Sequence, residues 1–180
     1  MEDLLLDACV ALNLIASGVS LDELAGASCV RFIMTSVAAS ETLWLEPVDP
    51  LGVRELIDDS VLADRGVSLV TLTEIETVSF VELARSIDDG EAATIAVAIH
   101  RRLGVATDDR KAVRLAESQS SSIEVVRTSQ LMRRWADNSN AIQIQVREAI
   151  RTIQRRANYV PPRDDPHLDW WLSVYEEQGR

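Results

Sequence analysis

Several carboxylates in this sequence directly follow a short apolar run or lie in the first turns of a predicted helix. Clustered carboxylates repel one another unless a cation neutralises them or some of them take up protons. Their hard oxygen atoms suit Mg²⁺ or Mn²⁺, and such a site supports metal-assisted hydrolysis of phosphodiesters. We predict the catalytic acids to be Asp7, Glu41, Glu91 and Asp109, and the metal ligands to be Asp7, Glu91, Asp108 and Asp109.

Each acid also has a structural interpretation. Asp88 or Asp89 could cap the helix that contains Glu91, and Asp108 could cap the helix after it, because acids in a first turn interact favourably with the helix dipole. Asp7 is harder to explain in this way, since it follows a buried apolar run where an unpaired charge is costly.

Short apolar runs alternate with helical patterns over the first two thirds of the chain. Strands are predicted over residues 4–6, 29–34, 67–70, 105–107 and 123–126. Helices are predicted between them, including one over residues 37–45 that contains Glu41, one over residues 51–64 and one that starts at Asp109. This alternation indicates an α/β fold with a mainly parallel sheet covered on both faces. Ligands of such sheets bind at the carboxyl edge of the strands, which is where Asp7 and Asp109 would lie.

The pattern becomes helical beyond Arg127. A proline-containing linker over residues 159–166 precedes a short aromatic helix with Trp170 and Trp171, which we expect to pack in a core or at a dimer contact. We therefore predict a domain over residues 1–135 and a helical extension over residues 136–180.

The composition limits the class of protein. The chain has 180 residues and a net charge of −11, which argues against nucleic-acid binding, although residues 127–156 carry seven arginines against two acids. Two isolated cysteines, no basic leader and no long apolar run predict a cytoplasmic protein without a membrane segment. Phosphate-loop, dinucleotide, zincin and serine-hydrolase motifs are absent from the sequence.

Four segments, in order, resemble the signature segments of PIN (PilT N-terminus) domains. They are Leu-Leu-Leu-Asp-Ala-Cys ending at Cys9, Ser-Val-Ala-Ala-Ser-Glu ending at Glu41, Gly-Glu-Ala-Ala-Thr-Ile-Ala starting at Gly90, and Ala-Thr-Asp-Asp-Arg ending at Arg110. The resemblance covers about residues 1–130, and the Gly-Glu-Ala and Asp-Asp-Arg segments are most similar to one subgroup of the family. It departs from the family at Cys9, where a hydroxyl or amide side chain is common, and after about residue 135.

The resemblance implies a three-layer α/β/α sandwich, an acidic Mg²⁺ or Mn²⁺ site and endoribonuclease activity that leaves a 5′-phosphate and a 3′-hydroxyl, often as the toxin of a VapC-like toxin–antitoxin pair. Asp7, Glu41, Glu91 and Asp109 match the four acidic positions of the family, with Asp108 assisting, and we assign Arg110 and Lys111 to RNA binding. An antitoxin partner and a homodimer are further expectations. The alternative is an interaction or regulatory protein of the same fold that turns over RNA weakly or not at all.

Overall fold

A computed structural model describes residues 1–41, 43–49, 51–119 and 123–176 of the chain. The strands are β1 (Glu2–Leu6), β2 (Val30–Thr35), β3 (Leu43–Leu45), β4 (Glu55–Ile57), β5 (Ser68–Val70), β6 (Gly104–Ala106) and β7 (Val125–Val126). The helices are α1 (Ala8–Ala16), α2 (Leu21–Ala27), α3 (Ser36–Ala39), α4 (Asp59–Asp64), α5 (Glu74–Leu83), α6 (Asp89–Arg101), α7 (Arg110–Gln119), α8 (Thr128–Asn138), α9 (Gln143–Ala157) and α10 (Leu168–Glu176).

Five of the strands form one parallel sheet in the order β5-β2-β1-β6-β7. Successive side chains of a strand point to opposite faces, and both faces of the central strands are covered. Leu5 packs with residues of α6 and α7, whereas Leu6 packs on the other face with residues of α1 and α9. Both leucines are fully buried, which stabilises the fold by about 2 kcal/mol each. The predicted three-layer α/β/α sandwich with a parallel sheet is therefore confirmed.

The strand order reverses at β1. From this central strand the chain extends to β2 and β5 on one side, and the later strands β6 and β7 add on the other. Crevices of open α/β sheets lie at such a reversal, outside the carboxyl ends of the strands. The residues that follow β1 and β6 are Asp7 and Thr107, so the first and last of the four predicted acidic segments lie next to each other at this point.

The prediction of a helix over residues 37–45 was wrong. Helix α3 ends at Ala39, and β3 then pairs antiparallel with β4, which occupies part of the second predicted helix over residues 51–64. In both strands exposure alternates with period two, with Trp44 and Leu56 outside and Leu45 and Ile57 inside. This cross-strand pairing overrides the local helical pattern because it buries Leu45 and Ile57 completely. Thr42 and Pro50 lie outside the described residues.

The C-terminal segments pack on the face of the sheet that carries α1. Val146, Ile150 and Ile153 of α9 are buried in the same core as Leu6, and Trp171 of α10 is also fully buried there. Trp171 meets Tyr159 edge to face, with ring centroids 5.5 Å apart. The division at residue 135 stays a prediction, and residues 177–180 lie outside the described part of the chain.

Candidate active site

Asp7 lies at the junction between β1 and α1. It is the N-cap of α1, where its Oδ1 accepts a hydrogen bond of 2.7 Å from the backbone N–H of Ala8. Its Oδ2 accepts a hydrogen bond of 3.1 Å from the hydroxyl of Thr107, at the end of the neighbouring strand β6. The residue is only 2% exposed. The buried carboxylate of Asp7 therefore accepts hydrogen bonds from two neutral groups and has little contact with water.

Thr107 connects Asp7 to Asp109. While it donates to Asp7, its Oγ1 accepts a hydrogen bond of 3.2 Å from the backbone N–H of Asp109. The Oδ1 of Asp109 accepts hydrogen bonds from the backbone N–H groups of Lys111 (2.6 Å) and Ala112 (3.0 Å). Asp109 thus caps the first turn of α7, the role that the structural interpretation had given to Asp108.

Asp108 faces a different set of donors. Its Oδ1 accepts hydrogen bonds from the Thr128 backbone N–H (3.1 Å) and the Tyr159 hydroxyl (3.0 Å). Its Oδ2 accepts them from the Thr128 hydroxyl (2.5 Å) and the Asn13 side-chain amide (3.1 Å). A carboxylate offers about four acceptor positions, so these donors use the capacity of Asp108 fully. Burial nevertheless raises its pKa, against the lowering effect of the hydrogen bonds.

Glu41 lies just beyond α3, and its carboxylate accepts a hydrogen bond from the backbone N–H of Gly90 at the start of α6. A Cβ atom at position 90 would lie 1.9 Å from Oε1 of Glu41 and 3.3 Å from Cα of Ala38, so a side chain there would displace the carboxylate of Glu41. The absence of a side chain at Gly90 therefore allows Glu41 to approach α6. Desolvation, followed by the charges of Asp88 and Asp89, raises the pKa of Glu41.

Glu91 follows in the first turn of α6. Asp88 occupies the N-cap position of this helix and makes no side-chain capping hydrogen bond. The carboxylate of Glu91 does accept a hydrogen bond from the backbone N–H of Asp88, which is one half of a capping box. Desolvation raises the pKa of Glu91 to about 7, with further contributions from the charges of Asp7, Asp109 and Asp88. Glu91, Asp109 and Lys111 line an open cavity of about 230 Å³.

The acids influence one another as a cluster would. Burial, together with the charges of Glu41 and Asp108, raises the pKa of Asp7 to about 6 although the hydrogen bonds from Thr107 and Ala8 oppose the shift. The thiol of Cys9 is partly exposed, yet its desolvation and then the charges of four acids (Asp7, Asp108, Glu41 and Glu91) raise its pKa to about 12. Like charges close together produce this pattern. The predicted acids, which come from distant segments, are therefore within electrostatic reach of one another.

The two residues assigned to RNA binding have different surroundings. Lys111 lines the cavity that contains Glu91 and Asp109, whereas Arg110 forms an ion pair of 3.0 Å with Asp164. Both side chains are exposed. Their role in RNA binding stays a prediction.

Three residues next to the acids were not foreseen: Asn13, Thr128 and Tyr159. All three donate to Asp108. Asn13 could have been noticed as a buried polar residue within an apolar helical run, because such a side chain needs a partner. Tyr159 follows α9 in a part of the chain outside the resemblance, and no pattern connects it to residue 108.

The donor chemistry of the cluster fits a hard divalent cation, since carboxylate oxygens with uncompensated charge are what Mg²⁺ and Mn²⁺ bind. As the side chains stand, however, no group of three or more His, Cys, Asp or Glu among the described residues could hold a metal ion. Asp109 and Asp108 are engaged by protein donors. The residues fit the ion by the chemistry of their oxygen atoms, and desolvation raises the pKa of Asp7 to about 6 and that of Glu91 to about 7.

Comparisons with protein-family models, curated proteins and solved structures gave no match. Among the described residues no single helix is long and apolar enough to cross a membrane, although α1 and α2, bent by 107° at a short break, together have the length and composition. The apolar residues Leu14, Ile15, Leu21 and Leu24 of these two helices are buried in the core.

Proposed function

We propose that this protein is a Mg²⁺- or Mn²⁺-dependent endoribonuclease of the PIN type. The observation that carries the proposal is the electrostatic coupling of acids from separate segments at the carboxyl edge of a parallel sheet. Desolvation, with the charges of Glu41 and Asp108, raises the pKa of Asp7 to about 6. Desolvation, with the charges of Asp7, Asp109 and Asp88, raises the pKa of Glu91 to about 7. A carboxyl group with a pKa near 7 retains its proton over much of the pH range below neutrality, and a divalent ion can bind by displacing that proton.

Within this proposal Asp7, Glu91 and Asp109 hold the ion. When bound, the ion would neutralise their charge and polarise the phosphoryl group of the substrate. Glu41 orients the attacking water and accepts its proton, because its side chain is exposed and its pKa is raised. Among the described residues, the backbone N–H of Gly90 is the donor to its carboxylate. Asp108 orients the turn that carries Asp109, through its hydrogen bonds to Thr128 and Tyr159. Lys111 contacts the substrate phosphate from the wall of the cavity.

The role of a toxin with an antitoxin partner, a homodimer and a cytoplasmic location belong to the same proposal and rest on the resemblance to the family. A second candidate is an interaction protein of this fold with little or no turnover. The hydrogen bonds from Lys111 and Ala112 to Oδ1 of Asp109 favour it, because that oxygen already has protein partners with which an ion would compete.

Incubation with a labelled single-stranded RNA and Mn²⁺ separates the two candidates. We expect cleavage that chelator abolishes and that the Asp7→Asn variant lacks. The Asp58→Asn variant is a matched control, because Asp58 also caps a helix, α4, but is exposed where Asp7 is buried. Cleavage that survives both chelator and Asp7→Asn would exclude the proposed site, and the absence of cleavage by the wild-type protein would favour the second candidate.

A further inference from the structure

A second, larger cavity lies beside the acidic one. It has a volume of about 680 Å³, and helix α7 contributes to both cavities. Asp109 and Lys111 line the smaller cavity together with Glu91, whereas Arg110, which lies between them at the start of α7, lines the larger one. We call the larger cavity the arginine pocket; it is lined by Arg110, Val113, Arg114, Glu117, Arg127, Arg163 and Asp164.

The arginine pocket is positively charged in a strongly acidic protein. Four guanidinium groups face two carboxylates there, while the whole chain has a net charge of −11. The arginines come from three separate segments: α7, the residue after β7, and the loop between α9 and α10. Folding therefore gathers positive charge at one place next to the acidic cluster, and an anion is the ligand that such a place attracts.

Arg127 has hydrogen-bonding capacity left over. Its side chain is only 16% exposed, and its Nη2 lies 3.5 Å from Asp164. Its Nη1 lies 3.6 Å from Asp165 but makes no hydrogen bond to any described residue. Because that nitrogen is itself buried beside Asp165, a ligand cannot reach it. The guanidinium groups that a ligand can reach are the exposed ones of Arg110, Arg114 and Arg163.

Asp164 stands at the position that such an anion would occupy. Its two carboxylate oxygens lie 3.0 Å from Nη2 of Arg110 and 3.5 Å from Nη2 of Arg127. The side chain is 55% exposed, so it can leave at little cost. A phosphate group offers more acceptor oxygens to guanidinium groups than one carboxylate does, and can replace it.

We propose that the arginine pocket binds phosphate groups of a single-stranded RNA whose scissile bond lies at the acidic cluster, and that Asp164 competes with the RNA for Arg110 and Arg127. This inference rests on the proposed function. RNA is favoured over an acidic protein segment because Arg110 directly follows Asp109, so one strand can reach both cavities. The loop after α9 thereby becomes part of the RNA-binding surface through Arg163.

Binding of a fluorescein-labelled, mixed-sequence single-stranded RNA, followed by anisotropy in chelator, tests the inference without any cleavage. Arg114→Gln and Arg163→Gln each remove an exposed pocket arginine and should weaken binding several-fold. Each should also reduce the slope of log K against log salt by about 0.7, the value for one lost phosphate contact. Asp164→Asn should tighten binding about threefold, because the competing carboxylate is gone.

Arg31 and Asp3 supply matched controls, since they form an exposed arginine–aspartate pair of 2.7 Å near the opposite edge of the sheet. Arg31→Gln and Asp3→Asn should leave the RNA affinity unchanged. The inference is overturned if the pocket variants bind RNA as the wild type does, or if poly-glutamate of equal length binds as tightly with the same dependence on the pocket variants. Cleavage of RNA with Mn²⁺ is scored separately, so failure of the nuclease proposal is distinguished from failure of this binding site.

Discussion

Asp7 is buried at the cost of stability, and removing its charge should therefore stabilise the protein. A pKa of about 6 in the folded protein, against 3.8 for an unperturbed aspartate, corresponds to about 3 kcal/mol of unfavourable free energy once the group is ionised. In Asp7→Asn the charge is gone, while the amide oxygen can still accept the N–H of Ala8. Weaker hydrogen bonds to a neutral group offset about 1 kcal/mol of the gain. We expect a net increase of about 2 kcal/mol in the free energy of unfolding at pH 7.5.

The sign of this effect depends on pH. Because the folded state raises the pKa of Asp7, the folded state binds the proton more tightly, and wild-type stability falls as pH rises from about 4 to about 6. Below pH 4 Asp7 is protonated in both states, and the variant has no advantage. The stabilisation should therefore be absent at pH 4 and complete above pH 6, where it raises the melting temperature by about 5 °C.

Thermal unfolding followed by circular dichroism in chelator, at pH 4.0 and 7.5, measures this difference. Asp58→Asn is the matched control, because Asp58 also caps a helix but is exposed and has a lowered pKa, for which hydrogen bonding to Ser60 is the first cause. That variant should not gain stability at pH 7.5. If Asp7→Asn is destabilised equally at both pH values, the charge of Asp7 is compensated in the folded protein, and our account of the acidic cluster is refuted.

Three further predictions follow from the same residues. Mn²⁺ should raise the melting temperature of the wild type, and its affinity should increase from pH 5.5 to 7.5 as Asp7 and Glu91 lose their protons. Isothermal titration calorimetry measures this affinity. If Asp7→Asn binds Mn²⁺ with the same affinity and pH dependence, the metal assignment is contradicted. Gly90→Ala should displace the flexible end of Glu41, because the added Cβ would lie 1.9 Å from Oε1 of Glu41, and should reduce RNA cleavage about tenfold or more with little loss of stability. Gly26→Ala is the control, since a Cβ atom at position 26 meets nothing within 4 Å. Unchanged cleavage by Gly90→Ala would argue against a role for Glu41. Tyr159→Phe should lower the free energy of unfolding by about 2 kcal/mol, because it removes a hydrogen bond to buried Asp108, and urea denaturation would show no change if that bond contributed nothing.

The centre of the sheet could be predicted from the sequence because its strands contain apolar runs. Leu4, Leu5 and Leu6 of β1 are buried, as are Phe32, Ile33 and Met34 of β2, and such runs are typical of strands covered on both faces. The β3–β4 pair could not be foreseen in the same way. Its strands have three residues each, and the alternation of exposed Trp44 and Leu56 with buried neighbours becomes visible only when the two are paired.

Three of the four acidic positions could be predicted from the sequence because each lies next to the end of a strand or the start of a helix. Asp7 and Asp109 follow strands and Glu91 begins a helix, and parallel strands bring such positions to one edge. Glu41 was placed in a helix that the structure ends two residues earlier. Its approach to Gly90 depends on how α3 packs against α6, which only the tertiary structure gives.

Asp108 and Asp109 show why adjacent, identical residues need not share a role. In the turn after β6 their side chains meet different partners: Asp109 the first turn of α7, and Asp108 donors from α1, α8 and the loop after α9. In the same loop Asp164 pairs with Arg110 and Asp165 accepts from Ser129, so with Tyr159 the loop contacts the segments that follow β6 and β7 at three points. Because Asp108 and Arg110 flank Asp109 in the chain, a change in this loop reaches the acidic cluster through covalently adjacent residues. The loop after α9 thus helps to position the residues around Asp109, although it lies outside the segments that resemble the PIN family.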